Sequence, residues 1–267
     1  MATPQGPLRV TNEEVRQFWQ SNPLCASGVQ QPLGSREFFK EYDALRESIE
    51  SIDYSYWLHE YRDFKGKKVL DVGSGNGYVL SKYATEGAEV YGVDIAPASI
   101  SLCQKRFEYL GLESDFRVAD AQRLPFEDNT FDCVCSMGVL HHVPDTQKAI
   151  DEIKRVLKPG GRLIVMFYHR YSAKYQWNYR LRSWLTEKSM QQLVNEFDGI
   201  GNPKGSVYSK SELAEMLYGF KNLEMSIGFL QSWDIIFRGR RFIPDVVFKP
   251  LAGLIGWNLY AKARKSL

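Results

Sequence analysis

Cysteine is scarce in this chain of 267 residues, and the four present (Cys25, Cys103, Cys133 and Cys135) include no C-x-x-C pair. Zinc and redox spacings are therefore absent, and a reducing compartment suits the sequence. Cys133 and Cys135 stand two apart in a probable strand, so both point to one face and read as small buried hydrophobes. An excess of charge is missing too. With 34 basic against 32 acidic side chains the formal net charge is +2, too little for a dedicated nucleic-acid binder, which needs a strong basic surplus. No apolar run approaches the roughly 20 residues of a spanning helix. Met1 to Val10 lacks the charged start and apolar run of a secretory signal. These absences predict a soluble, cytoplasmic protein. The hydrophobic share of 44% is ordinary for a globular chain and allows an enzyme-sized core.

Periodicity divides what is present into three regions. Residues 1–66 read as a helical, aromatic-rich N-terminal cap. Thr11-Asn12-Glu13-Glu14 starts one helix, Ser35 to Ile49 forms a second with Phe38, Phe39, Tyr42 and Leu45 at helical spacing, and Tyr54 to Tyr61 a third. From residue 67 strands alternate with helices. Strands are expected at Lys68–Val72, Glu89–Val93, Asp115–Val118, Phe131–Met137 and Arg162–Phe167. Helices are expected at Tyr78–Thr85, Pro97–Leu110 and Thr146–Leu157, the last stopped by Lys158-Pro159-Gly160-Gly161. That alternation means βαβ units and a parallel sheet. An aromatic and basic insertion covers about 169–207. Ser209-Lys210-Ser211-Glu212 is a capping box that opens a helix carrying Leu213, Met216, Leu217 and Phe220. Leu223, Met225 and Ile227 alternate as a sixth strand, and Trp257, Leu259, Ala261 and Ala263 as a seventh.

The first strand runs into Asp71-Val72-Gly73-Ser74-Gly75-Asn76-Gly77. Glycines directly after a strand let a cofactor approach the backbone. A dinucleotide site wants a third glycine where Tyr78 stands, and its pyrophosphate would be repelled by Asp71. A ligand carrying an ammonium and a sulfonium would be attracted instead, which favours S-adenosylmethionine over NAD. Asp94 follows Gly73 by 21 positions, the offset at which a carboxylate meets ribose hydroxyls. Asp120 ends the third strand, placed to accept from an adenine amino group, with the Ala121 N–H beside the ring. Three carboxylates thus end three consecutive strands, where open α/β sheets bind ligands.

With these pieces in view, residues 67–168 resemble the class I S-adenosylmethionine-dependent methyltransferases, in the style of the ubiquinone and menaquinone biosynthesis branch. The matching segments are Val69 to Gly77, Tyr91 to Ile95, Ala119 to Phe126, Phe131 to Asp145 and Leu157 to Leu163. The resemblance implies an α/β, Rossmann-like sheet of seven mostly parallel strands with the last antiparallel and helices on both faces. The helical N-terminal extension and the insertion after the fifth strand would be additions to a domain spanning 67–267. It also implies a cofactor site of Asp71, Gly73, Ser74, Gly75 and Gly77, with Asp94 on ribose, Ile95 on adenine, Asp120 and Ala121 at the adenine edge, and Met137 and His142 near the sulfonium.

The acceptor is less legible. Methyl transfer needs a base only if the acceptor must lose a proton, and His142 and His169 are the candidates. The Asn/Asp-Pro-Pro-aromatic element common in members that methylate DNA bases is replaced by Ser136-Met137-Gly138-Val139. A small-molecule acceptor, aromatic or lipid-like, is expected rather than nucleic acid. Tyr42 and Arg46 share a helix face and stand within reach of the cofactor or an acceptor carboxylate. From Phe237 onward, Arg238, Arg240, Arg241, Lys249, Lys262, Arg264 and Lys265 face only Asp245, a pattern open to a solvated edge or a peripheral membrane contact. A cofactor-binding module without catalysis and a dinucleotide-dependent oxidoreductase are the alternative functions. No metal ligands are expected, and the oligomeric state is not encoded in any motif.

Overall fold

A computed structural model describes residues 10–23, 28–230 and 249–267. Its centre is a parallel block of β1 (Lys68–Val72), β2 (Glu89–Asp94), β3 (Asp115–Val118), β4 (Phe131–Met137) and β5 (Leu157–His169). A two-residue strand β6 (Val207–Tyr208) and the longer β7 (Phe220–Gly228) and β8 (Asn258–Lys265) complete the sheet. The order is β3-β2-β1-β4-β5-β8-β7, with β6 pairing off that path with β5. Only β8 runs against its neighbours, pairing antiparallel with both β5 and β7. The seven expected strands are present, and β6 is an eighth that its two residues could not announce. Tyr168 pairs with both Val207 and Asn258, so β6 takes the edge of β5 that β4 leaves after Met137.

Side-chain alternation sends each strand into two cores. Leu70, Val72, Val134, Leu163, Val165 and Phe167 join the face covered by α6 (Thr146–Val156) and by the helix Lys210–Met216. Val69, Cys133, Cys135 and Ile164 join the opposite face, under α3 (Ile52–His59), α4 (Tyr78–Thr85) and α5 (Pro97–Leu110). The two strand cysteines are free and buried, as the alternation predicts, while Cys25 lies outside the described residues. Helix α6 forms because the Asp145 carboxylate accepts from the Lys148 N–H and because Ala149, Ile150, Ile153 and Val156 are buried on one stripe. Each of those larger aliphatic side chains contributes about 2 kcal/mol of burial.

Two boundaries differ from expectation. Helix α6 stops at Val156, and Leu157 is already extended and paired with Phe131. The Lys158–Gly161 stretch is thus the irregular start of β5 rather than a left-handed helix cap. Phe220 was expected on the helical stripe after the capping box. It opens β7 instead, because the helix ends with Leu217 at its C-cap.

The N-terminal helices α1 (Asn12–Ser21) and α2 (Arg36–Ile49) have Thr11 and Ser35 as their N-caps, and Thr11 completes a capping box with Glu14. The segment after α3 is locked to the sheet by charge. Glu60 accepts from Arg162 Nη2 at 2.6 Å and from Lys262 Nζ at 3.0 Å. Both cations are only 5–6% exposed. Burial opposes the charge on Glu60, but the bonds from Arg162 and Lys262 together outweigh it and hold its pKa below the usual range. Such a carboxylate adds stability above its unfolded pKa near 4, and that stability is lost as pH falls through the lower folded value. Glu60→Gln leaves two buried cations short of a counter-charge and is expected to cost about 2–3 kcal/mol in urea unfolding at neutral pH. An unchanged urea midpoint would mean that water already satisfies both cations.

Candidate active site

The loop after β1 is pinned before any ligand enters. The N–H groups of Gly73 and Ser74 both donate to the Val93 carbonyl, at 2.8 and 3.0 Å. Gly73 has φ +84°, and a Cβ there would lie 2.2 Å from Val139 Cγ2, so the turn has no room for a side chain. Asp94 is held across the same turn, accepting from the Gly75 N–H at 3.1 Å and from the Ala96 N–H at 2.9 Å. Behind the loop, buried Arg106 donates to the Asn76 carbonyl at 2.8 Å and pairs with Asp43 of α2.

Three adjoining cavities open from this loop. The first is lined by Gly73, Asp94, Ile95, Asp120, Ala121 and His142, and is closed by Asn12, Val15 and Trp19 of α1. The second lies beside Asp71, Gly73, Ser74 and Gly75, with Met137 on one wall and Arg46 on another. The third is a larger chamber of about 800 Å³ whose walls include Trp19, Arg46, Met137, Met166, Phe197 and Tyr260. Helix α1 closes the first cavity through specific bonds. Asn12 Nδ2 donates to Asp120 Oδ2, Gln122 Nε2 donates to Asn12 Oδ1, and the Ala98 N–H donates to Gln20 Oε1.

Asp71 is 4% exposed, and its Oδ1 has no hydrogen-bond partner. Burial pushes its carboxyl up to about 7, reinforced by the nearby Asp94 charge, and burial pushes Asp94 to about 6. A buried carboxylate oxygen facing a cavity without a partner is an expensive arrangement unless a cation arrives from the cavity.

Most of the sequence-predicted residues converge here. Asp71, Gly73, Ser74, Gly75, Asp94, Ile95, Asp120, Ala121 and Met137 all line the first two cavities. Gly77 lines none of the three. It caps α4 at φ +78° against Cys103. His142 reaches the first cavity, but both of its nitrogens face acceptors. Nδ1 contacts the Lys204 carbonyl, and Nε2 lies 3.3 Å from Asp198 Oδ2 at an angle that makes no hydrogen bond. His169 lines none of the three cavities. It is buried with Nδ1 on the Gly256 carbonyl at 3.1 Å. His141 is buried against Tyr168, and burial holds its pKa well below the ordinary histidine value. Sequence reasoning did not single out Asn12 or Asp198. Asn12 was visible only as part of a helix start, and Asp198 lies in an insertion without periodicity.

Residues 70–165 match the family model described as a methyltransferase domain. That match covers about a third of the chain and bears out, for this segment, the resemblance to the class I S-adenosylmethionine-dependent methyltransferases. The chain is 41% identical over 102 residues to the demethylmenaquinone methyltransferase of Thermus thermophilus, covering 38% of this chain and 46% of that protein. It is 35% identical over 111 residues to the ubiquinone/menaquinone biosynthesis C-methyltransferase UbiE of Cronobacter sakazakii, covering 40% and 44%. The chain thus spans about half the length of these curated relatives. Among solved structures, the magnesium protoporphyrin IX methyltransferase ChlM of Synechocystis with bound SAH superposes at a TM-score of 0.64. That match has 18% identity and covers 96% of this chain and all of the other. The [4+2]-cyclase SpnF superposes at 0.60 with 20% identity over 98% of each chain. At these identities the two structures establish the fold alone.

The cofactor of the resembled family fits the residues present. A site for it must seat a zwitterionic amino-acid end, a ribose and an adenine. Here the Asp71 carboxyl, with its partnerless Oδ1, offers an anion to the ammonium, and Gly75, where a Cβ would meet nothing within 4 Å, leaves the backbone open to the cavity.

The raised pKa values predict a pH effect. A carboxyl whose folded pKa is raised contributes most when protonated. Its stability is full below the unfolded value near 4 and is lost as pH rises through the folded value. The ligand-free protein is therefore expected to lose stability between pH about 4 and 7. S-adenosylhomocysteine, which keeps the ammonium, should raise the melting temperature more at pH 8 than at pH 5.5. Asp71→Asn should remove that difference and stabilise the ligand-free protein at pH 8, while weakening the ligand about tenfold or more. Equal melting shifts at both pH values in the wild type would rule this out.

Proposed function

We propose that this protein transfers a methyl group from S-adenosylmethionine to a small acceptor with an aromatic or lipid-like body. The observation that carries the reading is the junction, at Met137 and Met166, of the cavity beside Asp71 and the glycine loop with a wide aromatic chamber, while the cavity edged by Asp94 and Asp120 meets that chamber at Trp19. Asp94 would accept from the ribose hydroxyls with lone pairs its backbone donors leave free. Asp120 and the Ala121 N–H would meet the adenine edge, and Ile95 its face. Asp71 would hold the ammonium. Arg46, whose Nε is buried without a partner, would hold the carboxylate. The bound cofactor supplies an activated methyl on a sulfonium. What the chain adds is alignment and exclusion of water, through Met137, Met166 and the roof formed by α1.

Residues 1–66 and the insertion at about 169–207 are proposed as the cap over the acceptor. Trp19, Tyr42, Phe197 and Tyr260 on the chamber wall suit a planar or greasy acceptor. The relatives point the same way, with a demethylmenaquinone methyltransferase, a ubiquinone/menaquinone biosynthesis methyltransferase and, in Caenorhabditis elegans, a sterol methyltransferase among them. His142 and His169 are assigned to holding their loops, since each has Nδ1 on a backbone carbonyl, of Lys204 and Gly256 respectively.

Calorimetry with S-adenosylhomocysteine and NADH in parallel tests the donor. Saturable binding of the first alone is expected, and Asp94→Ala should weaken it about 100-fold, the worth of two hydrogen bonds to a charged acceptor. Saturable NADH binding without S-adenosylhomocysteine binding would favour the oxidoreductase. Tight cofactor binding with no methyl transfer to any of a broad acceptor panel would favour a non-catalytic module.

A contact with an anionic lipid surface is also proposed, with its support in the insertion rather than in the tail. Residues Phe237 to Phe248 lie outside those described, and Lys262, Arg264 and Lys265 are bonded to Glu60, Gly160 and Leu157 within the fold. No helix among the described residues is long and apolar enough to cross a membrane. In the insertion, Trp177 and Trp184 are 63% and 81% exposed beside exposed Arg180 and Arg182. Aromatic and cationic side chains of this kind seat at the headgroup boundary. Flotation with phosphatidylglycerol vesicles should carry the protein, and Trp177→Ala with Trp184→Ala should release it. Equal flotation with phosphatidylcholine, or none at low salt, would overturn this.

A further inference from the structure

The cofactor reading leaves the accepting atom open, and one carboxylate bears on it. Among the described residues, Asp198 is the one acidic side chain that lines both the cavity beside Gly73 and Met137 and the large chamber. Of the other acids of the chamber, Glu196 accepts from Lys188 at 2.7 and 2.9 Å. Glu50 pairs with Arg46 through Oε2 at 3.1 Å and keeps Oε1 without a partner, but it lines only the chamber and not the cavity beside Gly73. Asp198 has no lysine or arginine partner among the described residues. Its oxygens lie 2.7 and 2.8 Å from the Tyr168 hydroxyl, which donates to them, and His142 Nε2 stands at 3.3 Å. The Tyr168 phenol is held protonated by burial and by the Asp198 charge, so it serves as a fixed donor that orients the carboxylate. One hydroxyl proton does not saturate two carboxylate oxygens, which together offer about four acceptor positions.

We propose that Asp198 is the base of this site and that the acceptor is a hydroxylated aromatic ring, methylated on oxygen. This rests on the methyltransferase reading above. The ring hydroxyl donates to Asp198 with its ring against the aromatic walls of the chamber. As the oxygen–carbon bond forms, the carbon–sulfur bond breaks and its electron pair goes to sulfur. The hydroxyl proton passes to Asp198 and from there to water. Charge selects oxygen over nitrogen. Arg46 on the shared wall and the sulfonium are both cations, and they repel an acceptor that arrives as an ammonium. They attract the negative charge that develops on a hydroxyl oxygen as its proton leaves.

The test uses the full chain and Asp198→Asn, with Glu50→Gln as the comparison and Tyr168→Phe as a second variant. Calorimetry with S-adenosylhomocysteine first establishes that each variant is folded and binds. Catechols, simple phenols and their methyl ethers are then titrated without cofactor. The wild type should bind a hydroxyl ring about tenfold more tightly than its methyl ether, and Asp198→Asn should erase that preference while Glu50→Gln keeps it. Turnover of phenols should fall about 100-fold or more in Asp198→Asn, and less for nitrophenols that are already ionised. Tyr168→Phe, which loosens the carboxylate without removing it, should lower turnover less than Asp198→Asn. Turnover of amine or carbon acceptors but of no phenol would overturn the assignment and leave the methyltransferase reading standing. The same holds for an Asp198→Asn loss independent of acceptor pKa. Absence of S-adenosylhomocysteine binding in the wild type would overturn both.

Discussion

A buried carboxyl with one oxygen unmatched, held in the dry end of a parallel sheet, is the constraint around which this molecule is built. Asp71 sits on β1 with hydrophobic strands on either side and one oxygen unmatched. Nothing in the cores above and below needs a charge at that point. The loop from Gly73 to Gly77, the Asp94 bridge to Gly75 and the Arg106 tie to Asn76 fix a concave surface facing it. The free energy lost by keeping Asp71 unpaired is offset by packing along β1, β4 and β5, where the strand interior is buried on both faces.

The parts of the site that read clearly in the sequence are those set by local rules. Strand ends follow from alternation, and a carboxylate at or just past a strand end is visible in one dimension. That is why Asp71, Asp94, Asp120 and the glycine turn could be grouped from the sequence, and all of them but Gly77 line the first two cavities. The last strand was legible because Leu259, Ala261 and Ala263 alternate, even though their partners on β5 are nearly a hundred residues earlier, whereas its reversal was implied only by the family resemblance.

What stayed hidden depends on packing between distant segments. Asp198 precedes a glycine in a stretch with neither period, and only the folding of the insertion onto β5 brings it to Tyr168 and His142. His169 was expected to face the acceptor because it ends the fifth strand. Pairing of β5 with β6 and the Gly256 carbonyl encloses it instead. A two-residue strand such as β6 has no periodicity of its own. The start of β5 was misread for a related reason. Pro159 and Gly160 are strong local stop signals, yet the sheet partner Phe131 decides where the strand begins.

Helix α1 is a rigid link between two cavities. Asn12 at its start is bonded to Asp120 over the first cavity, while Trp19, two turns on, is part of the wall of both that cavity and the chamber. A rigid rod attached at two doors cannot swing one and leave the other shut. Any movement of α1 that frees the nucleoside end also removes a wall from the acceptor. Exchange of the two ligands is thereby geared to a single hinge rather than left to two independent gates.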